Sequence, residues 1–102
     1  MKDKKINKKK KQKAAIIVTK HAIERYIERT ISYDLNITDI QNRLKQAAIS
    51  GKRVAKRRDN AWEVEHHNLI LVAKYDEDVV TVITCLGTKQ YRNWSRIHNR
   101  VA

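Results

Sequence analysis

Apolar positions recur along this chain at two spacings, and each change of spacing marks an element. Ala14-Ala15-Ile16-Ile17-Val18 is a short β-branched run that predicts a first strand. Thr19 then stands where an N-cap belongs, ahead of a helix expected from about Lys20 to Ile31. In that helix Ala22, Ile23, Tyr26, Ile27 and Thr30 share a broad face, with His21, Arg25, Glu28 and Arg29 assigned to the opposite one. A second helix is signalled by Thr38 and Gln41 in the pattern of a capping box, with Gly51 as its stop. Its apolar stripe is Ile40, Leu44, Ala47 and Ala48.

After Gly51 the period shortens to two. A weak strand is expected from Arg53 to Arg58, ending at the Asp59-Asn60 turn. Trp62, Val64 and His66 alternate with Glu63, Glu65 and His67, a half-solvated antiparallel pattern. Leu69 to Ala73 and Val79 to Cys85 flank Tyr75-Asp76-Glu77-Asp78, which predicts a hairpin. The helical period returns at the end: Tyr91, Trp94, Ile97 and Val101 form one stripe, and Arg92, Arg96 and Arg100 recur every four residues. The expected fold class is α+β, with two helices packed on one face of a three- to four-stranded antiparallel sheet and a C-terminal helix. The other face of the sheet is the expected ligand surface.

Composition adds a boundary to this picture. The chain has 102 residues, about one domain's worth. Residues 2–13 hold eight lysines against the single Asp3, whereas the remainder carries most of the acidic side chains. Lysines this dense repel one another and lack apolar periodicity. Residues 1–13 are therefore expected to be a disordered arm, and 14–102 a single domain. Such an arm, including Lys8, Lys9, Lys10 and Lys11, can neutralise phosphates and release counterions. A solubility tail and attraction to anionic lipid are the other readings, the lipid one weakened by the lack of an accompanying amphipathic helix. A charged N-terminus without an apolar h-region, no long apolar window and one cysteine point to the cytoplasm.

Two groups of side chains carry candidate chemistry. The first is His21, Arg25 and Arg29 with Lys20 beside them. Metal-free RNA cleavage needs a proton carrier working near neutral pH and cations around the phosphate, and this set contains both. A solvated face with Glu24 and Glu28 pairing Arg25 and Arg29 is the competing reading. The second is Arg53, Arg57, Arg58, Arg92, Arg96 and Arg100 with Tyr91, Trp94 and His98, since bases stack on rings while guanidinium groups hold phosphates. Tyr91 and Trp94, at i, i+3, are expected first as the helix's core face. Glu65, His66 and His67 have no metal-ligand spacing, because adjacent strand residues point to opposite faces. Thr81 and Thr84 are likewise expected on opposite faces. No phosphate-cradling glycine loop is present, and neither metal nor cofactor is expected.

The stretch Val18-Thr19-Lys20-His21-Ala22-Ile23-Glu24-Arg25-Tyr26-Ile27-Glu28-Arg29 resembles the opening motif of small bacterial and phage proteins grouped with RelE-like toxins, in the barnase–EndoU–colicin–RelE superfamily. Leu69–Ala73 followed by Val79–Thr84 resembles their closing hairpin. The resemblance covers roughly residues 16 to 86. It implies an α+β domain whose sheet face holds RNA and, in many members, cleaves it without metal. Carried over, His21 and Arg25 match the first-helix pair and Thr81 or Thr84 the last-strand hydroxyl; Arg53, Arg57, Tyr91 and His98 are counterparts of basic and aromatic site residues. The lysine arm is not part of that pattern. The expectation is an RNA-binding RelE-like domain that could act as a metal-independent endoribonuclease toxin. The alternative is a non-enzymatic phage or mobile-element accessory protein that binds a host nucleic-acid-binding protein or nucleoprotein complex. RNA or DNA, the ribosome, an antitoxin or a host protein are the expected partners, and a membrane is not.

Overall fold

The computed structural model describes residues 15–30 and 36–101, the last four through their backbone alone. The lysine arm, Ala14 and Ile31 lie outside the described residues, as do the side chains of His98 and Arg100. The elements run β1 (Ala15–Val18), α1 (Lys20–Arg29), α2 (Ile37–Ser50), β2 (Lys52–Lys56), β3 (Ala61–His66), β4 (Leu69–Tyr75), β5 (Val79–Thr88) and α3 (Lys89–Val101).

Local chemistry explains most boundaries. The Thr19 hydroxyl accepts from the Ala22 amide at 3.1 Å and so caps α1. The same hydroxyl lies 3.0 and 2.9 Å from the Val82 and Ile83 carbonyls, to which it donates, fastening the helix start to β5. For α2 the cap is Asn36, whose side chain accepts from the Asp39 amide at 2.8 Å. The Thr38–Gln41 capping box is therefore not used. Gly51 does end α2, but at φ −75°, in extended backbone. Its small size is what counts, because a Cβ there would sit 2.5 Å from the Val64 side chain and 2.4 Å from the Ala47 carbonyl.

The sheet has five strands in the order β1-β5-β4-β3-β2 and is mixed. β2 to β5 form an antiparallel meander, whereas β1 pairs with β5 in parallel, Ile16 opposite Val80 and Val18 opposite Val82. This corrects the expected three- to four-stranded antiparallel sheet. A parallel partner needs a long crossover, and here nearly the whole domain separates β1 from β5 in sequence. The hairpins turn tightly through residues at positive φ: Asp59 and Asn60 between β2 and β3, His67 and Asn68 between β3 and β4. Two central residues of this kind make the turn whose twist suits a two-residue hairpin.

One core gathers Ala22 and Tyr26 of α1 and Ile40, Leu44, Ala47 and Ala48 of α2 against Val64, Leu71, Ala73, Val82 and Cys85 of the sheet. Tyr75 packs against its margin and donates its hydroxyl to the Ala48 carbonyl at 2.6 Å. Val82 and Cys85 reach the same core despite an odd spacing. Ala73 faces Val82 and Val72 faces Thr84, so Ile83 is an extra residue in β5. The same bulge brings Thr81, opposite Lys74, and Thr84, opposite Val72, onto one face of the sheet, the one turned away from the core. The expectation that they point to opposite faces assumed an unbroken alternation.

Helix α3 stands apart. Of the sheet strands it makes its main contact with β5. Its Arg92 and Lys89 are tied to Glu63 and Glu65, which lie on the face of β3 turned away from Val64. Trp94 is 53% and Ile97 62% exposed, so the greasy stripe of this helix is not a core face.

Candidate nucleic-acid interface

The buried face of α1 continues past its apolar residues. Ala22, Tyr26 and Arg29 fall at i, i+4 and i+7, so Arg29 shares the face of two core residues and turns toward β5 rather than outward with His21 and Arg25. Its guanidinium donates to the Cys85 carbonyl at 3.1 Å, and its Nε is buried without a hydrogen-bond partner among the described residues. Gly87, at φ +95°, lets the chain pass beneath it: a Cβ there would lie 2.9 Å from the Arg29 Cβ.

The β3–β4 turn supplies the neighbouring wall. With His67 in the turn at φ +47°, its ring and that of His66 meet edge to face, 4.1 Å between centroids. This corrects the expectation that the two histidines point apart, which holds only for residues inside a strand. Burial, then the charge of His67, lowers the His66 pKa from its usual range. Asn68 holds the start of α3 in place: its carbonyl accepts from the Lys89 amide at 3.1 Å and its side-chain amide donates to Gln90 at 2.6 Å. Thr88 caps the helix, accepting from the Tyr91 amide at 3.1 Å. Tyr91 and Trp94 then project from one face, ring centroids 5.8 Å apart.

These pieces enclose a cleft of about 980 Å³ at one end of the sheet, between the C-terminal turn of α1, α2, the β3–β4 turn and α3. Tyr26, Tyr91 and Trp94 give it aromatic walls; Arg29 and Arg43 give it positive charge; His66, His67, Gln46 and Gln90 give it donors and acceptors. Its one carboxylate among the described residues, Glu28, is paired with Arg25. A smaller hollow of about 210 Å³ beside it is lined by Arg29, Tyr91, Arg92 and Arg96.

The expected site residues do not converge as a set. His21 is exposed, lines neither hollow, and sits roughly 12 Å back along α1 from Arg29 at the helical rise. Arg25 is held by Glu28. Thr84 faces away from the core and lines neither hollow. Arg53 sits on β2, three strands from β5, its guanidinium 4.1 Å from the Tyr75 ring centroid and 5.5 Å from that of Trp62. Arg57 and Arg92 both bind Glu63, each at 2.9 Å. Burial raises the Glu63 pKa, but the Arg57 hydrogen bond and the charges of Arg92 and Arg57 outweigh it and leave the carboxyl below its usual range. Several of these arginines therefore have structural partners, contrary to expectation. Arg58 and Arg96 have no acidic partner among the described residues, and neither does Arg43.

Sequence reasoning passed over Arg43, Gln90 and the joint role of His66 and His67. The lone Asn68 between the β3 and β4 patterns, a residue that accepts positive φ, was the available signal for the histidine turn. Among the described residues, no three His, Cys, Asp or Glu side chains gather as metal ligands, and no helix is long and apolar enough to cross a membrane. No protein-family model, curated protein or solved structure matches the chain.

Proposed function

We propose that this protein binds nucleic acid, RNA ahead of DNA, by neutralising phosphates with a surplus of cations. The observation that carries this reading is the charge balance. There are 23 Lys and Arg against 11 Asp and Glu, and after the ion pairs of Glu28, Glu63 and Glu65 are formed, Arg43, Arg58 and Arg96 keep no acidic partner among the described residues. Lys8, Lys9, Lys10 and Lys11 add a dense tract to that surplus. The resemblance of residues 16–86 to RelE-like proteins points the same way. Cleavage is left out of the reading, because His21, Arg25 and Thr84 do not meet around one hollow.

The test is affinity for RNA as a function of salt. Affinity should fall steeply, by a factor of at least about ten between roughly 50 and 200 mM salt, and replacing Lys8–Lys11 with alanine should flatten the slope. A purified chain that ignores RNA and DNA at low ionic strength removes this reading. The rival, an accessory protein occupying a host nucleic-acid-binding protein, draws support from the exposed Trp94 and Ile97 of α3. It predicts saturable association with such a protein that survives nuclease treatment and is lost on Ile97→Asp.

A further inference from the structure

We propose that the cleft between α1, α2, the β3–β4 turn and α3 seats one unpaired nucleotide of an RNA strand. The base stacks against the Tyr91 and Trp94 rings, and its phosphate is held by Arg29 and Arg43. This rests on the RNA-binding reading and adds to it a defined subsite and a preference for single strands.

Three observations carry it. The first is size: about 980 Å³ lies at the upper end of what small-molecule sites enclose, so a base, its sugar and a phosphate fit. The second is the pairing of ring and cation. Trp94 is half exposed at the cleft, Tyr91 lies beside it, and the Arg29 guanidinium stands 5.7 Å from the Tyr91 centroid. A flat surface next to fixed positive charge matches a nucleotide, which is itself a flat ring next to a phosphate. The third is charge. Among the described residues Glu28 is the only carboxylate on the wall and Arg25 neutralises it, which leaves Arg29 and Arg43 to meet an anion.

An apolar peptide would bury the rings but leave both guanidinium groups without a counter-charge. A duplex would present phosphates but no free base face, because each face is covered by its stacked neighbours. Only an unpaired nucleotide satisfies both halves of the cleft. Gln90 lies at the rim with its Oε1 taken by Asn68, so its amide NH₂ is left to donate to an acceptor on the base edge.

The experiment compares a short single-stranded RNA carrying one 2-aminopurine with the same sequence as a blunt duplex. Both are titrated with the full chain at fixed low salt. Stacking of the probe should quench its fluorescence on the single strand alone. Trp94→Ala, at a solvent-facing position, should weaken single-strand binding by about tenfold and leave duplex affinity unchanged, whereas Arg43→Ala, also solvent-facing, should weaken the single strand more than the duplex. Circular dichroism confirms that both variants are folded. Equal affinity of the wild type for strand and duplex, or an unchanged single-strand affinity in Trp94→Ala, overturns the subsite. A substitution of Lys8–Lys11 by alanine separates the two levels. It should weaken strand and duplex alike; if it moves neither while the Trp94 effect persists, the broader phosphate-neutralising reading fails and the subsite stands.

Discussion

The guanidinium of Arg29 lies over the Tyr91 ring, 5.7 Å from its centroid, and thereby joins the first helix of the domain to the last. Arg29 also donates to the Cys85 carbonyl. Its removal should cost stability as well as positive charge. Arg29→Met keeps the aliphatic stem, so the loss is that of one charge-assisted hydrogen bond and one cation–π contact, about 1–3 kcal/mol together. Urea denaturation measures it. A midpoint equal to wild type would mean that neither the contact with β5 nor the one with α3 contributes to stability.

Gly87→Ala should do more. A Cβ at φ +95° is strained in itself, and it would meet the Arg29 Cβ at 2.9 Å and the Arg29 carbonyl oxygen at 3.1 Å. The expected loss is about 2 kcal/mol or more, seen as a fall in Tm of roughly 8 °C or greater for a domain of this size. A variant that melts within a degree or two of wild type would contradict the close approach of β5 to α1.

Glu63 predicts acid sensitivity. Its folded pKa lies below the reference 4.5, with burial opposed and outweighed by Arg57 and Arg92. A depressed carboxyl contributes stability that is fully present above the unfolded value and disappears as pH falls through the folded one. Unfolding free energy should therefore decline below about pH 4.5, and Glu63→Gln should be less stable at neutral pH yet decline less over that range. An identical slope in the variant would refute the assignment. The pair of arginines is partly exposed, so the neutral-pH loss should stay near 1–2 kcal/mol.

His66 acts in a different window. Its folded pKa is lowered by burial and by the neighbouring His67, so protonation favours the unfolded chain. The contribution is present above the reference 6.5 and lost as pH falls below it. His66→Gln should remove that part of the pH dependence between about 5 and 7. Calorimetric melting across this range would show it, and a variant with an unaltered profile would exclude it.

Cys85 should be inert in the folded protein. Burial pushes its thiol up to about 11, against smaller opposing effects of the Gly87 backbone and Arg29. A disulfide-exchange reagent at pH 8 should modify it only as fast as the chain unfolds, and at the rate of a free thiol in denaturant. Rapid labelling of native protein would show that the core around Leu71 and Val82 opens readily.

Much of the local structure was legible in the residues alone, because it depends on neighbours in sequence. Thr19 announces its helix since a hydroxyl there meets an amide three residues on. Asp59-Asn60 marks its turn because both residues accept positive φ. The order of strands and helices follows from two periodicities, and the α2 stripe of Ile40, Leu44, Ala47 and Ala48 is buried as its spacing requires. Even the inward course of Arg29 was written in its i+7 distance from Ala22, although its charge argued for the outside.

What remained was decided by partners distant in the chain. No pattern in Ala15–Val18 names β5 as its neighbour; the parallel pairing occupies the edge of β5 that the β2–β5 meander leaves open. The bulge at Ile83 is set by the register against β4, so the common facing of Thr81 and Thr84 could not be read from alternation. The cleft is the same kind of outcome. Tyr91 and Trp94 have the spacing of a core stripe, and only the placement of α3 beyond the end of the sheet turned them into the wall of a hollow. Periodicity records which side chains share a face; what that face meets is a property of the folded chain.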